Sequence, residues 1–142
     1  MLLLVFALCV TSCSSTTILT RDVTIRNDSA NHLDWVKVDW GGHTFSAGVL
    51  PPGVFKKTFD ARLPADVTTN VAFIEFINED TPGLNWESGS NDEVRARRAK
   101  SLTRVPVDVS RLLSLGREPY HIIFRILSVT KADVLVERIE IK

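Results

Sequence analysis

The chain has 142 residues, 44% of them hydrophobic, and its 17 basic and 17 acidic side chains cancel to a formal net charge of zero. No global field draws such a protein to nucleic acid or to anionic lipid. Both cysteines lie within the first thirteen residues, which excludes a disulfide framework or a cysteine-ligated metal in the remainder and leaves hydrophobic burial to stabilise the fold.

The chain opens on an uncharged apolar run from Met1 that ends at Cys13. It is too short to span a bilayer, which takes about 20 residues. It has the length of a signal-peptide core, about 7–15 residues. Val10-Thr11-Ser12-Cys13 resembles the lipobox of bacterial lipoproteins: an aliphatic residue, two small residues, then the cysteine that is diacylated. Only the amino group of Met1 supplies the positive charge that such signals carry ahead of the apolar run. The resemblance implies that residues 1–12 are a signal peptide and that Cys13 carries the lipid. The membrane is then a partner through that lipid. Ser14 in the next position implies sorting to the outer membrane, with the protein facing the periplasm. Residues 14–17 read as a short polar tether.

From Ile18 onward the dominant pattern is period-two alternation, the mark of half-buried strands. Leu19, Val23 and Ile25 share one face of the first strand, with Arg21 and Asn27 interrupting it at the ends. Asn27-Asp28-Ser29-Ala30-Asn31 is a turn cluster. The second strand spans Leu33 to Trp40, with Val36, Val38 and Trp40 on one face and Trp35, Lys37 and Asp39 on the other. Gly41-Gly42 predicts a hairpin into His43–Ala47. Leu50-Pro51-Pro52-Gly53 is a rigid corner. Val54 to Ala61 follows, with Phe55 and Phe59 expected inward and Lys56, Thr58 and Asp60 outward. Val67 to Asn78 is apolar on both faces and predicts a central strand.

Glu79 to Asn91 is the longest loop and holds Trp86. Ser90 and Glu93 have capping-box spacing ahead of Val94–Lys100, which predicts a short helix, with an exposed edge strand as the alternative. Leu102 to Val109 alternates again, and Pro106 assigns it to a sheet edge. Ser110 to Gly116 reads as one helical turn of the kind that carries a chain between sheets. Tyr120 to Val129 places Tyr120, Ile122, Phe124 and Ile126 inward. Lys131-Ala132-Asp133 predicts a turn into a last strand, Val134 to Ile141.

About eight short strands with one or two short helices predict an all-β fold, a single Greek-key, immunoglobulin-like β-sandwich over residues 18–142. The Leu-Pro-Pro-Gly corner and Tyr120 at a strand start resemble the corners of fibronectin type III domains.

No motif specifies catalysis. There is no Gly-x-Ser-x-Gly elbow, no phosphate-binding glycine loop, and no cysteine nucleophile in the domain. His32, His43 and His121 lack ligand spacing beyond a pairing of His32 with Asp34, so no metal or other cofactor is expected. The candidate binding residues are Trp86 in the long loop and the basic run Arg95, Arg97 and Arg98, which suits an anionic or acidic partner. Paired with nearby acids, the same run would be an ordinary solvated face. Trp35, on the polar face of its strand, is expected to pack beneath a loop or against the second layer. The resulting expectation is a non-catalytic, lipid-anchored adaptor of the bacterial cell envelope that binds an envelope protein or glycan. A periplasmic inhibitor or immunity-type protein and an enzyme acting on cell-wall glycan are the alternatives.

Overall fold

Strand alternation sorts the chain into two layers. The computed structural model describes residues 18–59, 61–63, 69–81, 89–115 and 119–140. In chain order the elements are β1 (Ile18–Asn27), β2 (Leu33–Trp40), β3 (His43–Leu50), β4 (Phe55–Phe59), β5 (Arg62–Leu63), β6 (Val71–Asn78), α1 (Asn91–Lys100), β7 (Leu102–Asp108), α2 (Ser110–Leu113), β8 (Tyr120–Ser128) and β9 (Lys131–Arg138). One sheet has the order β4-β1-β8-β9, with β5 paired to the start of β1, and the other has the order β3-β2-β6-β7. The chain is therefore an all-β sandwich. Within it β2, β3 and β4 follow one another around the two layers, while β1 lies beside β4, which is a Greek-key path.

The core forms where the inward faces meet. Val23 and Ile25 of β1 and Ile122, Phe124 and Ile126 of β8 pack in one cluster with Val36, Val38 and Trp40 of β2, Ile74 and Phe76 of β6, and Val105 and Val107 of β7. These are the faces that the alternation assigns in β1, β2, β7 and β8; in β6, apolar on both faces, the structure selects the face of Ala72, Ile74 and Phe76. The Gly41-Gly42 hairpin forms with φ of 55° and 85°, the pair of positive values that a twist-matched two-residue turn requires. The β8–β9 turn comes earlier than expected, at Val129-Thr130, and Lys131 already belongs to β9.

Two further features depart from the sequence reading. The first is that β1 and β8 pair in parallel, from Thr20 opposite Tyr120 to Asn27 opposite Ile126. The second is β4, whose phase is reversed. Phe55 sits opposite Arg26 on the outer face and is 59% exposed, whereas Lys56 and Thr58 stand opposite the core residues Ile25 and Val23. At the rim of a sandwich an inward position is still wet, and a lysine stem covers apolar surface while its ammonium stays in water.

The strand ends define two poles. β1 enters at Ile18 and reaches the far pole at Asn27, about 30 Å on for ten extended residues. At that far pole the Asn27 N–H donates to Val54 O at 3.0 Å and Gly53 N–H donates to Asn27 O at 2.8 Å. Glu79 N–H donates to His32 O there as well.

β7 is the edge strand that Pro106 predicts. The substitution Pro106→Val is expected to change the unfolding free energy by less than about 1 kcal/mol, because a β-branched residue suits the strand while the proline's restriction of the unfolded chain is lost. Urea denaturation checks this, and loss of folding would refute the edge assignment.

Candidate functional site

The site begins with an irregularity in β2. Leu33 and Val36 are both buried although three residues apart, so one extra residue is inserted between them. The register shifts against both neighbours, β3 and β6, across the same stretch. Trp35 takes up the insertion at φ 52°. A bulky residue in the left-handed region is strained by roughly 1–2 kcal/mol and persists only where its surroundings hold it.

Those surroundings are identifiable. The Asp34 carboxylate accepts the Trp35 N–H at 2.7 Å and accepts from the Arg98 guanidinium at 2.6 Å. The same guanidinium lies 3.4 Å from Glu79 and 5.7 Å from the centre of the Trp35 ring. Arg98 is delivered by α1, and α1 starts where its cap fixes it. Ser90 Oγ accepts the Glu93 N–H while the Glu93 carboxylate accepts the Ser90 N–H, so the predicted capping box forms. That hydrogen bond from Ser90 also holds the Glu93 carboxyl below the usual range. Burial pushes the Glu79 carboxyl upward, and Arg98 opposes the shift.

A groove of about 440 Å³ lies beside the ring, lined by Trp35, Lys37, Ser46, Gly48, Ala99 and Leu102. Trp35 is 42% exposed there. Gly48 stands opposite Val36 on β3 and has φ 70°, so a second irregularity faces the first. Next to the groove, the nearly buried Glu75 accepts from Lys37 at 2.9 Å and Arg104 at 3.0 Å. The Glu75 hydrogen bond raises the Lys37 ammonium above its ordinary value. Arg104 stacks 3.8 Å from the centre of the Phe73 ring. With Asp39 at 3.7 Å as well, Lys37 is already engaged on its acidic side.

The expected binding residues separate. Trp86 and Cys13 lie outside the described residues. Arg95 is exposed on α1, whereas Arg97 and Arg98 are half-buried. Arg98 is the member that reaches Trp35. The sequence reading places Trp35 on the polar, outward face, where it lies, but expects it packed beneath a loop or against the second layer; it is instead half-exposed, with Arg98 over its ring. The bulge has one sequence signal: the apolar alternation skips from Leu33 to Val36.

The histidines go elsewhere. His32 contacts Asp80, and His121 contacts Thr24 at 2.7 Å and Glu137 at 3.6 Å. Among the described residues no three His, Cys, Asp or Glu side chains converge as a metal-binding group. Asp34 and Glu79 form a carboxylate pair, but both lie on Arg98, which ties α1 to the strand ends.

No known family's sequence model matches the chain, and no curated protein matches it. A solved NMR structure of a protein from Eubacterium rectale aligns with a TM-score of 0.40 and 9% identity, covering 88% of this chain and 94% of that one.

Proposed function

We propose that the chain is a non-catalytic binding protein of the bacterial cell envelope, lipid-anchored through Cys13, that engages an envelope protein with its Trp35 groove. The observation that carries this reading is Trp35 itself. A strained, half-exposed tryptophan fixed by Asp34 and Arg98 beside a groove is costly to keep for folding alone. Exposed tryptophans in such settings serve as contact anchors.

The groove favours a protein partner over a glycan. Trp35, Gly48, Ala99 and Leu102 offer apolar surface, and the polar members are Ser46 and an already paired Lys37. A sugar ring needs several directed hydrogen bonds, whereas an apolar side chain needs only shape and dryness.

The lipobox fits the same picture. With the anchor on the Ile18 side, Trp35, two residues into β2 from the Asn27 pole, would lie in the half of the domain away from the membrane. The outer-membrane, periplasm-facing location implied by Ser14 belongs to this proposal. Cys13→Ala is expected to abolish incorporation of a fatty-acid analogue, and persistent labelling would remove the anchor from the reading. The groove is tested by photocrosslinking the lipoprotein in its own membrane from position 99. One dominant protein adduct, lost in Trp35→Ala, is the expected result. Glycan adducts would overturn it.

A further inference from the structure

The cations around the groove are matched unequally by the chain's own acids. Lys37 and Arg104 share Glu75, and Lys37 also meets Asp39. Arg98 lies on Asp34 and Glu79. Arg95 differs from all three. It is exposed on α1, and among the described residues no acid pairs with it. The two acids in the first turn of the helix are Asp92 and Glu93. The Glu93 carboxylate is taken up by the Ser90 cap, and Asp92 makes no ion pair with Arg95.

Helix spacing puts Arg95 on the groove's side of α1. Arg98 stands over the Trp35 ring, and Ala99 and Leu102 line the groove. Positions 95, 98, 99 and 102 follow the i, i+3, i+4, i+7 spacing of one helix face. α1 ends at Lys100, so Leu102 stands just past the helix at the start of β7. Arg95 therefore extends the stripe beyond Ala99, about 6 Å along the helix axis.

We propose that the groove takes an acidic segment of a partner protein: an apolar side chain of that segment enters against Trp35, and a carboxylate of the same segment pairs with Arg95. The proposal rests on the protein-binding reading above and specifies the partner's chemistry. Trp35, Gly48, Ala99 and Leu102 make the wall apolar, while Lys37, Arg98 and Arg104 are neutralised within the chain. The complement the chain does not supply beside this wall is one negative charge, and that sets the sign of the partner. An arginine presents a planar fork that a carboxylate meets with two parallel hydrogen bonds. An extended segment beside α1 advances about 3.3 Å per residue, so its carboxylate stands about two residues from the apolar side chain, and within about four once the reach of the arginine is included. A charge at the rim acts on encounter and on partner choice, while the buried apolar contact supplies the affinity.

The test uses the full lipoprotein in its own membrane, with benzoylphenylalanine at position 46, on the β3 wall of the groove, so that α1 is unaltered. Mass spectrometry maps the adduct. It is expected on a protein segment with Asp or Glu within about four residues of the crosslinked one. Arg95→Gln is expected to lower capture about fivefold or more, and Arg95→Lys to retain most of it. Lys100→Gln removes the same charge from another face of α1 and should leave capture unchanged. Circular dichroism confirms that each variant is folded. A protein adduct with no acid nearby, capture that ignores Arg95→Gln, or an equal loss in either of the other two variants would overturn the acidic-segment proposal while leaving the groove reading in place. Adducts to a second copy of this chain would also overturn it. Glycan adducts, or no protein adduct from position 46, would overturn the proposal together with the reading beneath it.

Discussion

Asn27→Ala will lower the unfolding free energy by about 3 kcal/mol or more, as much as deleting a large aliphatic side chain from the core. Asn27 is fully buried at the end of β1. Its Nδ2 donates to Asn31 O and to Leu50 O, both at 2.8 Å. Its Oδ1 accepts from the Ser29 N–H at 3.0 Å and the Ser29 hydroxyl at 2.6 Å. One amide thus ties together the first turn, the end of β3 and the corner leading to β4. Alanine would strand four polar groups, each costing about 1–3 kcal/mol when left dry, with water offsetting part of the loss. Asn27→Asp separates hydrogen bonding from shape. It keeps the acceptor but turns an anionic oxygen toward two carbonyls in a buried site, so the folded-state pKa of the new carboxyl rises above its unfolded value near 3.9. Its protonated form is the one the fold tolerates. Relative to the parent, the variant's stability should be highest at low pH and fall as pH rises from about 4 to the raised folded-state pKa. Urea titrations at pH 4 and pH 7 read this directly. Equal deficits at both pH values would show that the two donated hydrogen bonds are not what holds the corner.

Asn27 also illustrates how far the sequence was legible. Alternation reports which residues share a face, and it located the inward sides of β2, β7 and β8 because each lies against a continuous apolar layer, whereas β6, apolar on both faces, could only be read as central. Local chemistry was equally readable where the effect is local: the Gly41-Gly42 turn, the Ser90–Glu93 cap and the edge position of Pro106. Alternation says nothing of a strand's partner, so the parallel pairing of β1 with β8 had no signal. At the rim, burial no longer separates the two faces, so Phe55 and Lys56 exchanged sides. Asn27 looked like the end of a pattern because its burial depends on acceptors 4 and 23 residues away. The site had the same difficulty. Trp35, Gly48 and Arg98 come from three separate elements, and only the skipped phase between Leu33 and Val36 hints at the bulge.

Trp35 and Trp40 lie on one strand, and removing each should break a different property. Trp40 is fully buried in the core, and its indole N–H donates to Thr69 O at 3.2 Å. Trp40→Ala should cost about 3–5 kcal/mol, a large part of the stability of a domain this size, because the removed ring leaves a cavity its neighbours cannot fill. Trp35 points outward, and its alanine variant exchanges lost contact area for the smaller steric demand of alanine at a positive φ. Its stability should change by less than about 2 kcal/mol, while partner capture from the groove falls at least tenfold, or about 1.4 kcal/mol in binding. Thermal unfolding and photocrosslinking of both variants separate the two roles. A Trp35→Ala protein as unstable as Trp40→Ala would make Trp35 a structural element whose strain is offset by packing. A stable variant with undiminished capture would move the contact surface away from the groove. Only a folded protein that no longer captures its partner supports a binding role for the strain at Trp35, with Arg98 and Asp34 holding the ring where a partner can meet it.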